Sequence, residues 1–148
     1  MKVMHKGEKK KRKGLKLTFV SALLAMLLIA GGCGMVRDHT EKLGDLEYTV
    51  LSPDEFPPKL TETIEEKKAG AFRLTYTDEG YLYICVGYGE QETGGYSITV
   101  KELYETANGI YIDTTLMGPK EGEAVSEAVS YPFIVLKLAD IGKSVIFN

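Results

Sequence analysis

The 148-residue chain has room for one folded domain once any targeting segment is set aside. Its formal net charge of -3 hides an uneven distribution, because eight of the eighteen Lys and Arg residues precede Cys33, against the single acid Glu8. The rest of the chain has ten basic and twenty acidic residues, a charge of about -10, which repels polyanions and excludes nucleic acid as an expected partner.

Residues 46–148, which are predicted to form the folded domain, contain no histidine, because the two histidines of the chain are His5 and His39. Serine and cysteine hydrolase sites and His-ligated zinc all need an imidazole, so the sequence excludes them there. No Walker-type phosphate loop or dinucleotide fingerprint is present. Carboxylates remain, but solvated acids in loops make poor general acids and lack the EF-hand spacing. We therefore expect no enzymatic activity, no cofactor and no metal.

The amino-terminal third has the order of a secretory signal. Basic residues at 9–13 precede an apolar run over residues 17–30, which ends in Gly31-Gly32-Cys33. This run of 14 residues is short for a bilayer core, which needs roughly 20 residues in a helix, so the segment is better cleaved than kept. The sequence predicts a signal helix and peptide at residues 1–32. A plain cleaved signal and an uncleaved membrane anchor remain alternatives.

The cysteine after these small residues resembles the lipobox of bacterial lipoproteins. In that family the chain is cut just before the cysteine, whose thiol receives a diacylglycerol. Ala30 stands where leucine is usual. The resemblance implies lipidation of Cys33 and attachment to the cell membrane, facing outside the cytoplasm. Residues 33–45, polar and aperiodic, are predicted to be the lipidated cysteine and a flexible tether, followed by the domain at residues 46–148.

Alternating apolar residues predict that most of the domain is β-structure. A first strand is predicted at residues 46–51, then a single capped turn at residues 52–55 and a helix at residues 58–69, where Leu60 and Ile64 stand four apart. Further strands are predicted at residues 71–77 and 81–88, from residue 96 onward, at residues 110–117, from residue 133 onward and within residues 143–148. We expect a mainly β domain, an antiparallel sandwich or barrel-like fold, with one short helix after the first strand.

Local signals refine this prediction. The apolar phase changes at Lys101-Glu102, which indicates a β-bulge. Asn108-Gly109 predicts a tight hairpin before Ile110. Cys85 lies within an apolar strand and is predicted to be a small buried residue rather than a reactive thiol.

Two glycine-containing loops, at residues 89–96 and 118–123, interrupt the predicted strands. Thr93-Gly94-Gly95-Tyr96, followed about 35 residues later by Tyr131-Pro132-Phe133, resembles the C-terminal domain of the PrcB family over residues 72–138. The namesake of that family is a lipoprotein accessory subunit of a secreted subtilisin-like protease complex. The resemblance therefore implies a non-catalytic domain with a protein partner, of which a secreted protease is one candidate.

Tyrosine beside glycine combines a rigid aromatic anchor with adaptable backbone, as is usual at contact surfaces. The candidate partner-binding residues are Thr93, Gly94, Gly95, Tyr96, Gly118, Pro119, Tyr131, Pro132 and Phe133. We expect a lipid-anchored accessory or protein-binding subunit, provided that these loops meet at one end of the fold. In the alternative, Tyr96 and Phe133 belong to the core and the glycine-rich loop is only a structural hairpin.

A protease inhibitor is an alternative from another class. The glycine-aromatic, Gly-Pro and X-Pro-aromatic loops are similar to the three inhibitory loops of chagasin-type cysteine-protease inhibitors. The sequence departs from that pattern, because Glu92-Thr93-Gly94-Gly95 precedes Tyr96 where that family has Asn-Pro-Thr-Thr-Gly, and Tyr131 stands where arginine is usual. A structural envelope lipoprotein without a specific ligand is the third possibility.

Overall fold

A computed structural model describes residues 41–148 of the chain. Among these residues, strand pairing begins at Lys42. The predicted signal peptide, the lipidated Cys33 and most of the tether lie outside the described residues. Residues 42–45, predicted to end the tether, form a strand that pairs with a later one, so regular structure starts earlier than the predicted boundary at residue 46.

The described residues contain eight strands and one α-helix, with a single 3-10 turn at Pro53–Glu55 before the helix. The helix α1 spans Pro58–Lys67. The strands are β1 (Lys42–Asp45), β2 (Thr49–Val50), β3 (Ala71–Asp78), β4 (Tyr81–Tyr88), β5 (Ser97–Thr106), β6 (Ile110–Met117), β7 (Phe133–Ala139) and β8 (Val145–Phe147). Among residues 41–148, the single α-helix is too short and too polar to span a lipid bilayer.

The strands form two four-stranded sheets. Sheet I has the order β1-β5-β6-β8 and sheet II the order β2-β7-β4-β3. All pairs are antiparallel except β6 with β8, which are parallel. The prediction of a mainly β fold with largely antiparallel sheets and one helix after the first strands is confirmed.

Sheet II is covered on both faces, which explains the nearly continuous apolar sequences of its central strands β4 and β7. On one face, Ile84 of β4 and Leu136 of β7 pack with Ile112 of sheet I in the core between the sheets. On the other face, Tyr83 and Cys85 of β4 pack against Leu60 and Ile64 of α1 with a further cluster of aromatic residues. The molecule is therefore layered as helix, sheet and sheet, and both predicted apolar residues of the helix are buried.

The prediction of one continuous strand at residues 46–51 is wrong. The Leu46 N–H donates to the Leu103 C=O in sheet I, whereas Thr49 pairs with Lys137 in sheet II. The chain crosses between the two sheets at residues 46–48, so only Thr49–Val50 form a strand. An alternating pattern predicts extended backbone but does not report which sheet the backbone joins.

The predicted bulge and hairpin are both confirmed. The register of β5 with β6 shifts between Val100 and Glu102. In the hairpin, the buried Thr106 hydroxyl oxygen accepts the N–H groups of Asn108 and Gly109 at 3.2 and 3.1 Å. Gly109 does not have a positive φ. It is needed because an added Cβ would lie 2.6 Å from the Ser144 backbone oxygen.

Cys85 is fully buried, as predicted, and is a free thiol. Burial raises its pKa to about 12, because the apolar surroundings disfavour the thiolate. A thiol that stays protonated at neutral pH is a packing residue rather than a nucleophile.

Candidate protein-binding surface

Two loops leave the same end of the sandwich and contact each other. The glycine loop, residues 89–96, joins β4 to β5, and the long loop, residues 118–132, joins β6 to β7. Because β4 pairs antiparallel with β7, and β5 with β6, both connections emerge where β4 and β6 end. The predicted gathering of these loops at one end is what the structure shows, although their role in binding stays a prediction.

Backbone hydrogen bonds join the two loops. Gln91 and Ser130 exchange N–H to C=O bonds of 2.8 and 3.0 Å, which makes an isolated antiparallel bridge. The Gly94 N–H donates to the Ser126 C=O at 2.8 Å. The Ser130 hydroxyl donates to the Thr93 C=O at 2.7 Å. Thr93 and Gly94 therefore belong to one hydrogen-bonded unit with the long loop.

Gly95 is the point of closest packing between the loops. Its φ is +84°, a conformation that favours glycine, and an added Cβ would overlap Cγ1 of Val125 and lie 3.1 Å from Cβ of Pro119. The glycine backbone is thus approached closely, as the sequence suggested, but by the long loop of the same chain.

The aromatic residues Tyr96 and Phe133 are both half-buried but differ in what they contact. Tyr96 is half-buried, and a Cβ added at Gly118 would lie 3.4 Å from Cε1 of Tyr96. Phe133 packs into the layer between α1 and sheet II, with its ring centroid 6.2 Å from that of Phe56. Pro132 precedes β7 and accepts the Tyr88 N–H at 3.0 Å. Phe133 thus contacts the helix-facing cluster, as the core interpretation expects, but both Phe133 and Tyr96 stay partly accessible.

Tyr131 ties the long loop to the glycine loop and to the end of the helix. Its O–H donates to Oε2 of Glu90 at 3.0 Å, and the Lys68 ammonium lies 5.7 Å from its ring centroid. The hydrogen bond to Glu90 raises the pKa of Tyr131 above its ordinary value of 10.0, because the carboxylate stabilises the protonated phenol. The hydrogen bond from Tyr131 to Glu90 is therefore fully formed at neutral pH. It is lost as the pH rises through the raised pKa of Tyr131.

A Glu90→Gln substitution is expected to lower the pKa of Tyr131 towards its ordinary value, since a neutral amide no longer repels the phenolate. NMR titration of the tyrosine ring carbons would measure this pKa, with Tyr131→Phe to assign the signal. As a control, Glu92→Gln should leave the titration of Tyr131 unchanged. An unaltered midpoint in Glu90→Gln would contradict the contact.

The exposed parts of both loops are acidic. The two loops contain five acidic residues and one basic residue, Lys120. The acidic residues are Glu90, Glu92, Glu121, Glu123 and Glu127. One of them is used within the long loop, where Oε2 of Glu123 accepts the Lys120 N–H at 2.9 Å. An acidic end surface favours a partner with a basic face. Within residues 41–148, no group of three or more histidine, cysteine or acidic residues is placed to hold a metal ion.

A side groove of about 290 Å³ opens beside the loops, between the edges of the two sheets. Three predicted residues line it, Tyr96, Pro132 and Phe133, together with Val50, Ser97, Ile98 and Ile134. Its exposed lining is about equally polar and apolar, with apolar side chains beside backbone and serine groups. A larger groove of about 830 Å³, lined by Tyr48, Tyr81 and Lys137 among others, lies near the opposite end of the sandwich and contains none of the predicted residues.

The sequence missed the residues that hold the surface together. Ser126, Val125 and Ser130 secure the glycine loop, and Val50 lines the side groove. The segment 124–130 shows only small and polar side chains, which indicate a loop but not its partner. Val50 lies in the strand predicted at residues 46–51. The sequence did not predict that the chain crosses from sheet I to sheet II within this segment.

Residues 82–139 match the family described as PrcB C-terminal. The match runs from β4 through β7 and so includes both loops. The chain is also 29% identical over 104 residues to an uncharacterized protein of Methanocaldococcus jannaschii, an alignment that covers 70% of this chain and 57% of that relative. No solved structure matches the chain significantly.

Proposed function

We propose that this protein is a non-catalytic accessory subunit that binds a protein partner outside the cytoplasm, because residues 82–139 match the PrcB C-terminal family. The observation that carries the proposal is the surface formed by the glycine loop and the long loop. Its backbone is held by hydrogen bonds between the loops, and its exposed charge is acidic. Such a surface is suited to recognising the shape and charge of a protein partner.

The finer parts of the proposal come from the sequence. Cys33 is the lipid-bearing residue that holds the protein on the outer side of the cell membrane. The partner is a secreted protease, in line with the accessory role of the namesake of the family. A lipid anchor would keep the domain at the membrane, where a secreted partner first emerges.

Reversing loop charges tests the binding surface. We expect Glu92→Lys combined with Glu121→Lys to reduce recovery of the protein partner from the envelope fraction by at least about tenfold, because like charges then meet across the interface. The matched control is Glu62→Lys with Glu66→Lys, two exposed acids of α1. Quantitative mass spectrometry after cross-linking would measure recovery. Equal recovery with both variants would contradict the proposed surface, and turnover of a substrate by the purified protein would contradict its non-catalytic role.

An inhibitor of papain-type cysteine proteases is the second candidate function. It is favoured because the glycine loop and both ends of the long loop lie at one end of the sandwich. Tyr131 differs from the arginine of that family and is bonded to Glu90 within this chain. Inhibition of papain by the purified protein at micromolar concentration would favour this candidate over the accessory role.

A further inference from the structure

The first half of β5 has no neighbouring strand on one side among the described residues. β1 pairs with β5 only at residues 104–106, and the Leu46 N–H then bonds to the Leu103 C=O. Beyond Leu46 the chain crosses to sheet II. β1 therefore does not extend along residues 97–100 of β5. In the described part of the chain, these residues form a free strand edge.

The register shows which backbone groups this edge offers. The Ile110 N–H and the Ile112 C=O bond to the β8 side, so alternate residues of β6, including Thr114 and Leu116, also direct their backbone groups away from β5. Ile98 is opposite Leu116, and Val100 is opposite Thr114. Ile98 and Val100 therefore direct their N–H and C=O groups to the free side, while their side chains pack on the core between the sheets.

The side groove lies along this free edge. Ile98 forms one wall, and Phe133 and Ile134 at the start of β7 form the other. Among residues 41–148, the start of β7 also lacks a neighbouring strand on the side away from β4, because β2 pairs only at Leu136 and Lys137 and the Leu51 N–H bonds to the Val135 C=O. Val50 is 53% exposed on the rim of the groove. Free strand groups beside a groove that combines polar backbone with apolar side chains fit an extended peptide, whose backbone bonds to the edge while alternate side chains enter the groove.

Charge indicates the kind of peptide. The loops that end the groove carry five carboxylates and one lysine, a formal charge of about -4. Building on the accessory role, we propose that the side groove binds an extended basic segment of the partner protein, which adds as an antiparallel strand to β5 at Ile98 and Val100 and continues the line of β1. Its apolar residues, at alternate positions, enter the groove, and its lysine or arginine residues lie near the acidic loops.

Backbone methylation tests this pairing. The probe is a fluorescein-labelled peptide of five Val-Lys repeats, and the full chain in detergent micelles is titrated against it by fluorescence anisotropy. In an antiparallel strand whose valines face the groove, the valine N–H groups point to β5, so N-methylation of the valines should weaken binding at least about tenfold. N-methylation of the lysines, whose N–H groups point outward, should leave binding within about twofold. Equal binding of the two methylated peptides, or a loss only with methylated lysines, would overturn the proposal.

Two protein variants complete the test. Val50→Lys places a positive charge on the rim of the groove and should weaken binding of the basic peptide at least about tenfold, because like charges repel and the apolar contact is lost. The matched control is Leu43→Lys, since Leu43 is an exposed apolar residue of β1 outside the groove, with 61% of its surface exposed. If Val50→Lys recovers the protein partner normally while reversal of the loop charges abolishes recovery, strand addition is overturned and the accessory role stands. If neither change affects recovery, both proposals fail.

Discussion

A Cys33→Ala variant is expected to remain an uncut precursor and to take up no lipid label. In the lipoproteins that residues 30–33 resemble, the thiol receives the diacylglycerol before cleavage, so without the thiol neither step occurs. Acyl chains hold a protein on the bilayer by about 0.8 kcal/mol for each buried CH₂ group, and two such chains give stable attachment. Metabolic labelling with an alkyne fatty acid and the mass of the product would measure both effects.

Cys85→Ala is the control, because it removes the other cysteine of the chain. Cys85 is buried and stays protonated, so its loss should leave lipid labelling and processing intact. A Cys33→Ala variant that is trimmed to the normal mass and retained on the membrane would contradict lipid attachment at this residue.

Gly87→Ala is expected to lower the free energy of unfolding by about 2 to 3 kcal/mol, in the upper part of the range for overpacking a core. Gly87 is paired with Phe72 across β3 and β4, and the Phe72 ring lies over the glycine. An added Cβ would lie 2.5 Å from Cδ1 and 2.8 Å from Cζ of that ring. The ring cannot move freely, because it packs in the helix-facing layer 6.5 Å from the Phe133 ring centroid. Urea denaturation would measure the change.

A double-mutant cycle separates this clash from a general effect of alanine in the strand. In a Phe72→Leu background, the Gly87→Ala change should cost less than about 1 kcal/mol, because the shorter side chain can turn away. Equal destabilisation in the two backgrounds would contradict the ring contact.

Local signals were sufficient to predict most of the fold. The slip in apolar phase at Lys101 indicated the bulge, and the spacing of Leu60 and Ile64 indicated the buried face of α1. The strand order was not predictable in this way. The parallel pairing of β8 with β6 and the crossing at residues 46–48 depend on contacts between distant segments, which a periodic pattern does not contain.

The candidate surface was predictable only in part. Glycine and tyrosine composition pointed to both loops, and the structure bonds Thr93 to Ser130 and places Gly95 close to Pro119. The contacts that organise the surface join residues far apart in sequence, such as Tyr131 with Glu90, separated by 41 positions. No local rule relates such residues, and the free edge of β5 became evident only once the neighbours of each strand were known.

The bridge between Gln91 and Ser130 has a further consequence for association. A loop that is mobile before binding loses conformational entropy when a partner immobilises it, and this loss weakens affinity. Here both loops are already fixed to each other in the unbound protein. We therefore expect rigid docking with small backbone displacement, so that substitutions of uncharged residues on this surface change the dissociation rate far more than the association rate.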